Sequence, residues 1–128
     1  MTTLLQNTRR HDITFNADGR IEISARVTKA LDIQPGDVID IALNDINREV
    51  YLYVKHRQPA GRHKAQCYCT GKGKTCRSLR ANCVEICRQI LDLRGYSATR
   101  AKLPVGDAED IPGIGKALPI IIRYNKCC

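Results

Sequence analysis

The fold is decided by the stretch DGRIEISARVTKALDIQPGDVIDI, residues 18–41. Asp18 and Gly19 tolerate the positive φ angles of a tight turn, which predicts a β-hairpin with strands over residues 13–15 and 20–24. In the second of these strands apolar and polar residues alternate, the pattern of a strand with one buried face. The stretch therefore begins with a hairpin.

A short helix and a second hairpin follow. Ser24 is a favourable N-cap and predicts a helix over residues 25–31. Pro and Gly within residues 34–37 predict a turn, after which residues 38–43 and 49–55 form two further strands. A unit of this size buries too little apolar surface to be stable alone, so something else must cover it.

The second part of the chain is predicted to be a small α/β extension. We divide the chain into residues 1–57 and a basic, Cys-rich extension over residues 58–128. The extension's predicted elements are strands over 65–70, 96–103 and 118–124, a glycine-rich turn over 71–75, a helix over 78–93 and a loop over 104–116. The overall fold class is α+β, mainly β.

The positive charge is concentrated in one segment. The chain carries a formal net charge of +8, and residues 58–102 hold ten Lys/Arg against two Asp/Glu. Residues 1–57 and 103–128 are each neutral. A concentrated basic block is typical of nucleic-acid binding, although a solvated surface has the same composition.

Composition places the chain among globular proteins. Its 43% hydrophobic and 27% charged residues are ordinary for such a domain. We expect a cytoplasmic protein, because the N-terminus lacks the pattern of a signal peptide and no apolar run has the length of a membrane span. In that compartment the seven cysteines are expected to be reduced.

One spacing pattern runs without a gap from Gly19 to Val38 and covers much of residues 10–57. It resembles the AbrB/MazE/SpoVT swapped-hairpin DNA-binding family. Ser24 and Asp32 stand where the family usually has proline and glycine, and both are compatible with a helix cap and a left-handed residue. The matching positions are Gly19, Arg20, Ile21, Ile23, Val27, Leu31, Ile33, Gly36, Asp37 and Val38.

The resemblance implies a homodimer in which two chains exchange hairpins and build one small barrel. It also implies a transcriptional regulator that binds double-stranded DNA, with contacts from the hairpin arginine and the short helix. Arg20 and Lys29 match those places, and Arg26 is close to them. The alternative is a protein-interaction module, antitoxin-like or a scaffold, built on the same swapped dimer.

Further basic residues extend the candidate nucleic-acid site. The turn over 71–75 precedes the predicted helix, so that free N–H groups at the helix start and neighbouring cations would form an anion site. The nucleic-acid-binding candidates are Arg9, Arg10, Arg20, Arg26, Lys29, Lys72, Lys74, Arg77 and Arg80.

Enzymatic and metal-dependent functions are not expected. The sequence GKGKT resembles part of a phosphate-binding P-loop, but Tyr68 occupies the position of the required glycine. No catalytic arrangement and no cofactor are predicted. Cys67, Cys69, Cys76 and His63 are weak metal candidates, because they lack the paired knuckles of a zinc site.

The sequence IPGIGKA, residues 111–117, matches the hairpin of helix-hairpin-helix DNA-binding motifs. The motif requires a second helix, whereas the proline and isoleucines that follow favour a strand. We therefore predict a turn at this position.

Overall fold

The computed structural model describes residues 12–44, 46, 49–56, 65–69, 78–93 and 99–122. Seven of the residues considered above lie outside these ranges, namely Arg9, Arg10, His63, Lys72, Lys74, Cys76 and Arg77. The elements are β1 (Ile13–Asn16), β2 (Arg20–Ile23), α1 (Ala25–Ala30), β3 (Val38–Leu43), β4 (Val50–Lys55), β5 (Ala65–Gln66), β6 (Leu79–Asn82), α2 (Val84–Leu93), β7 (Arg100–Leu103), β8 (Glu109–Ile111) and β9 (Gly115–Ile120).

The strands form two antiparallel sheets. Sheet A has four strands in the order β6-β2-β1-β7, and sheet B has five in the order β5-β3-β4-β9-β8. All ladders are antiparallel. The prediction of an α+β, mainly β chain is confirmed at this level.

The β1–β2 hairpin turns where the sequence predicts it. Gly19 has a φ of +103° and donates its N–H to the carbonyl of Asn16 at 2.9 Å. The carboxylate of Asp18 accepts the backbone N–H of Arg20 at 3.0 Å. A Cβ on Gly19 would lie 2.7 Å from the side chain of Val84 in α2. Glycine is therefore required both by the backbone angle and by the close approach of the helix.

The short helix α1 also follows the sequence. The Ser24 hydroxyl accepts the N–H of Val27 at 3.3 Å, which satisfies one of the free donors at the helix start. Asp32, just after the helix, has a φ of +51°. An aspartate in the left-handed region is acceptable because its short polar side chain tolerates that conformation.

The core lies between the inner faces of the sheets. In sheet A every second residue of each strand points inward and is buried. Sheet B contributes Ile39, Leu52 and Leu118, among others, to the same cluster, and α2 contributes Cys87 and Ile90. The inward residues of sheet A are Ile13, Phe15, Ile21, Ile23, Leu79, Ala81, Ala101 and Leu103.

A strand followed closely by a helix occurs twice along the chain, although the sequence shows no repeat. In each sheet a strand after residue 64 pairs with one from the first hairpins, β7 with β1 in sheet A and β5 with β3 in sheet B. α1 begins two residues after β2 ends, and α2 begins two residues after β6 ends. Bridges between Tyr68 and Arg80 and between Val105 and Ile120 connect the two sheets. The later strands thus cover the apolar faces of the first two hairpins within one chain.

Two predicted elements are corrected. Residues 79–82 form β6 instead of the first turn of a helix, because Leu79 and Ala81 pair with Ile23 and Ile21 and are buried in sheet A. The predicted loop over 104–116 contains β8 and a tight turn to β9. The turn predicted within IPGIGKA is confirmed, since Gly113 and Gly115 adopt positive φ angles there.

The expectation of reduced cysteines is wrong at one position. Cys69 is disulfide-bonded, whereas Cys67, Cys83 and Cys87 are free and buried. The local proximity that permits a disulfide is set by tertiary structure and cannot be read from composition. Among the described residues, no helix has the length and apolar character needed to cross a membrane.

Candidate nucleic-acid interface

The outward face of sheet A carries four of the nine described Lys and Arg side chains, at paired strand positions. We call it the basic face. Arg20 of β2 is opposite Asn82 of β6, and Glu22 is opposite Arg80. On the other side Asn16 is opposite Arg100, and Thr14 is opposite Lys102. Four cations therefore share a face with one carboxylate, that of Glu22. Its members are Thr14, Asn16, Arg20, Glu22, Arg80, Asn82, Arg100 and Lys102.

The carboxylate of Glu22 offsets only part of this charge. An Nη of Arg80 lies 3.6 Å from the Glu22 carboxylate, and both side chains are about two-fifths exposed, at 41% and 38%. Such an exposed pair is weak and screened by salt. Arg80 thus stays available for an external anion, in competition with Glu22.

Arg100 is oriented by a buried amide. Its Nε donates to Oδ1 of Asn16 at 3.0 Å, and Nδ2 of Asn16 donates to the carbonyl of Arg20 at 2.9 Å. Asn16 is 5% exposed, so this amide is held by its surroundings. The Nη groups of Arg100 remain as donors, because only Nε is used in this chain of bonds.

Arg26 has a structural role in the fold. It donates from Nε and Nη to the carboxylate of Asp12, at 3.1 and 2.9 Å, and from Nη to the carbonyl of Val105 at 2.6 Å. Asp12 also accepts the N–H of Val105 at 3.0 Å. The hydrogen bond to Asp12 raises the pKa of Arg26 above its ordinary value. Arg26 ties α1 to the segment after β7, and most of its donors are occupied.

The structure brings together only some of the sequence candidates. Arg20 and Arg80 lie on the basic face, whereas Arg26 and Lys29 lie on α1, beyond the other end of β2. Lys29 is exposed on the last turn of that helix. The family pattern joins these positions along the chain, but they do not share one sheet face.

Sequence reasoning missed Arg100 and Lys102. Their alternation with Ala101 and Leu103 is a strand pattern with a basic outward side, and it was visible in the sequence. The position of β7 beside β1 could not be predicted from the sequence, because strand order depends on long-range pairing.

The anion site predicted at a helix start is corrected in its geometry. α2 begins at Val84 and is separated from the segment over 71–77 by strand β6. The start of α2 therefore does not follow that turn directly along the chain, and residues 71–77 lie outside the described ranges. The helix start lies against the β1–β2 hairpin, where Cys83 donates its N–H to the carbonyl of Gly19 at 2.8 Å.

The described cysteines do not assemble a metal site. Burial raises the pKa of the Cys67 thiol to about 12, which disfavours the thiolate that binds metal. Cys69 is disulfide-bonded and lacks a free thiolate. Within the described ranges no three His, Cys, Asp or Glu side chains are grouped as metal ligands would be.

The outward face of sheet B has a different character, and we call it the aromatic face. Tyr53 donates its hydroxyl to Asp40 at 3.3 Å, and Lys55 lies 3.4 Å from the same carboxylate. Tyr51 donates to Glu49, which raises the pKa of Tyr51 to about 12. The members are Asp40, Ala42, Tyr51, Tyr53, Lys55, Glu109, Ala117 and Pro119.

No protein-family model, curated protein or solved structure matches this chain. The functional argument therefore depends on the surfaces of the molecule itself.

Proposed function

We propose that this chain binds double-stranded DNA through the basic face, as a transcriptional regulator of the AbrB/SpoVT type. The observation that carries the proposal is the placement of Arg20, Arg80, Arg100 and Lys102 on one side of sheet A with only Glu22 as a carboxylate. Strands are an established means of approaching DNA grooves. The resemblance over residues 10–57 supports the same function.

The physical basis is counterion release at phosphates. Each cation that neutralises a phosphate frees condensed counterions, so affinity falls with salt by a slope that counts the contacts. Four contacts from one basic face predict a slope of about −3.6 in log K against log salt. Asn82, which is exposed beside Arg20, supplies an amide group for phosphate or base edges.

The experiment is fluorescence anisotropy of a labelled random duplex between about 50 and 300 mM salt. We expect binding by the full chain with a steep salt dependence. Absence of binding at the lowest salt would overturn the proposal. A slope near −1 would show that the basic face does not act as one surface.

We retain the homodimer as part of the proposal, but we assign the second chain a different role. The described strands after residue 64 extend both sheets and share one buried core with the first two hairpins, so the burial expected of a second chain is supplied within one chain. The second chain would serve to pair two basic faces on neighbouring DNA half-sites. Light scattering after size exclusion, with and without duplex, tests this: a monomer in both conditions would exclude it.

A second candidate function is a protein-interaction module. Leu43, the last residue of β3, is 43% exposed, and Ile46, in the turn to β4, is 96% exposed; both belong to sheet B and its connections. Clustered exposed apolar side chains are typical of contact surfaces between proteins. Capture of an acidic partner that is lost in a Leu43→Ser, Ile46→Ser variant, in protein that does not bind duplex, would favour this function.

A further inference from the structure

A cavity of about 370 Å³ lies at the tip of the β1–β2 hairpin, next to the start of β7. This volume is within the range of small-ligand sites. The cavity lies where β1 and β7, which are distant in sequence, pair with each other, since Asn16 and Arg100 are register partners. Its lining residues are Asn16, Ala17, Asp18, Arg20, Thr99 and Arg100.

Two guanidinium groups line the cavity, and one of them is incompletely satisfied. Within the described structure Nε of Arg20 is buried and has no hydrogen-bond partner. A buried donor without an acceptor is unfavourable, so the side chain gains free energy by turning toward one. Arg100 is held in place through its Nε by Asn16, at 3.0 Å, which leaves its Nη groups as donors.

The carboxylate of Asp18 reduces the positive charge of the cavity without neutralising it. Asp18 accepts the backbone N–H of Arg20 at 3.0 Å, a bond that stabilises the turn. Two arginines and one aspartate leave a net charge of +1 among the lining residues. An anionic group with several acceptor oxygens matches two guanidinium forks better than a neutral ligand does.

We propose that the cavity binds a phosphate group, carried by a small phosphomonoester or by the 5′ end of a nucleic acid. A phosphomonoester presents three acceptor oxygens and close to two negative charges at neutral pH. Arg20 and Arg100 hold it from β2 and β7. The hairpin tip is preorganised for this, because Gly19 is fixed against α2 by the 2.8 Å bond from Cys83.

The test uses backbone amide NMR spectra of the full chain titrated with inorganic phosphate and with ribose 5-phosphate. We expect saturable shifts at Ala17, Asp18 and Thr99, and at least a tenfold weaker response in Arg100→Gln. Asp18→Asn keeps a side-chain oxygen for the turn and removes the repelling charge, so it is expected to bind more tightly. Lys55→Gln in sheet B is the matched control and should bind as the native protein does.

The source of the phosphate is distinguished by two oligonucleotides of one sequence. Tighter binding of a 5′-phosphorylated strand than of its 5′-hydroxyl form, abolished in Arg100→Gln, identifies a nucleic-acid end. Equal binding of the two strands, with saturable ribose 5-phosphate shifts, identifies a small phosphomonoester.

Failure of this inference is separable from failure of DNA binding. Phosphate shifts that are absent, unsaturable or unchanged in Arg100→Gln would overturn the inference, even if duplex binding by the basic face persists. Saturable shifts in a protein that binds no duplex would support the cavity and overturn the proposed function.

Discussion

The outward faces of the two sheets differ in how far their charged and polar groups are paired with each other. On the aromatic face of sheet B, Asp40 contacts both Tyr53 and Lys55, and Tyr51 donates to Glu49. On the basic face of sheet A, four cations share the single carboxylate of Glu22, and the described structure leaves Nε of Arg20 without a partner. One face satisfies its polar groups locally, whereas the other retains donors for an external anion.

The net charge of a segment is a poor guide to where cations gather on the folded surface. The neutral segment over residues 1–57 supplies Arg20, and the basic segment over 58–102 supplies the other three cations of the face. Their grouping arises from strand pairing between the segments. The proposed binding feature is this cluster with its excess of cations, because fully paired charges contribute little to attraction of a distant ligand.

The largest effect on the free energy of unfolding is expected at Asp12, a buried carboxylate just before β1 of sheet A. Asp12 has a side chain 4% exposed and joins Arg26 to Val105. Asp12→Ala should lower the free energy of unfolding by about 3 kcal/mol, because it leaves the buried N–H of Val105 and the part-buried guanidinium of Arg26 without their acceptor.

The matched change in sheet B is Asp40→Ala, which breaks an exposed pair and should cost less than about 1 kcal/mol. Urea denaturation of both variants provides the measurement. Equal losses would mean that the Asp12 contacts do not hold the segments together.

The next largest effect is expected on duplex affinity, where changes on the basic face should matter and matched changes in sheet B should not. An Arg100→Gln, Lys102→Gln variant should bind duplex about 30-fold more weakly at 50 mM salt, with its salt slope smaller by about two. Lys55→Gln, Lys116→Gln removes the same charge from sheet B and should bind like the native chain. An equal loss in both variants would show that total charge, not the basic face, governs binding.

A moderate effect is expected in alkaline solution on the aromatic face. The pKa of Tyr51 is raised from 10 to about 12, first by its hydrogen bond to Glu49. The folded state therefore favours the neutral phenol, and this stabilisation is present below pH 10 and lost as the pH rises toward 12. Absorbance titration of phenolate should show a late-titrating component that is reduced in Tyr51→Phe. An unchanged titration curve in that variant would contradict the assignment.

The smallest effect is expected from the single carboxylate of the basic face. Glu22→Gln removes a competitor of phosphate for Arg80 and should strengthen duplex binding by about threefold, with little change in stability. Glu109→Gln in sheet B is the control for a loss of one negative charge. Weaker binding in Glu22→Gln would mean that Glu22 orients Arg80 for contact.

Local elements were predicted well because local physics decides them. The Asp18-Gly19 turn, the Ser24 cap and the left-handed Asp32 depend on backbone angles and bonds within a few residues. The predicted helix start at 78 failed because β6 pairs with β2, and this pairing outweighs the helical spacing of residues 79–87.

Only some residues of the candidate site could be predicted from the sequence. Arg20 was found from the hairpin pattern, and Arg80 from the basic segment. Arg26 was assigned to DNA, but the structure places its guanidinium on Asp12. Its ion-pair partner could not be identified because their proximity depends on how α1 packs beside the end of β1.

The turns, the caps, the alternation of the strands and the location of the excess charge could all be predicted from the amino-acid sequence. These features depend on residue identity and on neighbours along the chain. Tertiary structure alone decided that Arg100 meets Asn16 across 84 positions and that Val105 meets Asp12 across 93. Strand order is set by non-local pairing and shared burial, so the basic face exists only once both segments have folded together.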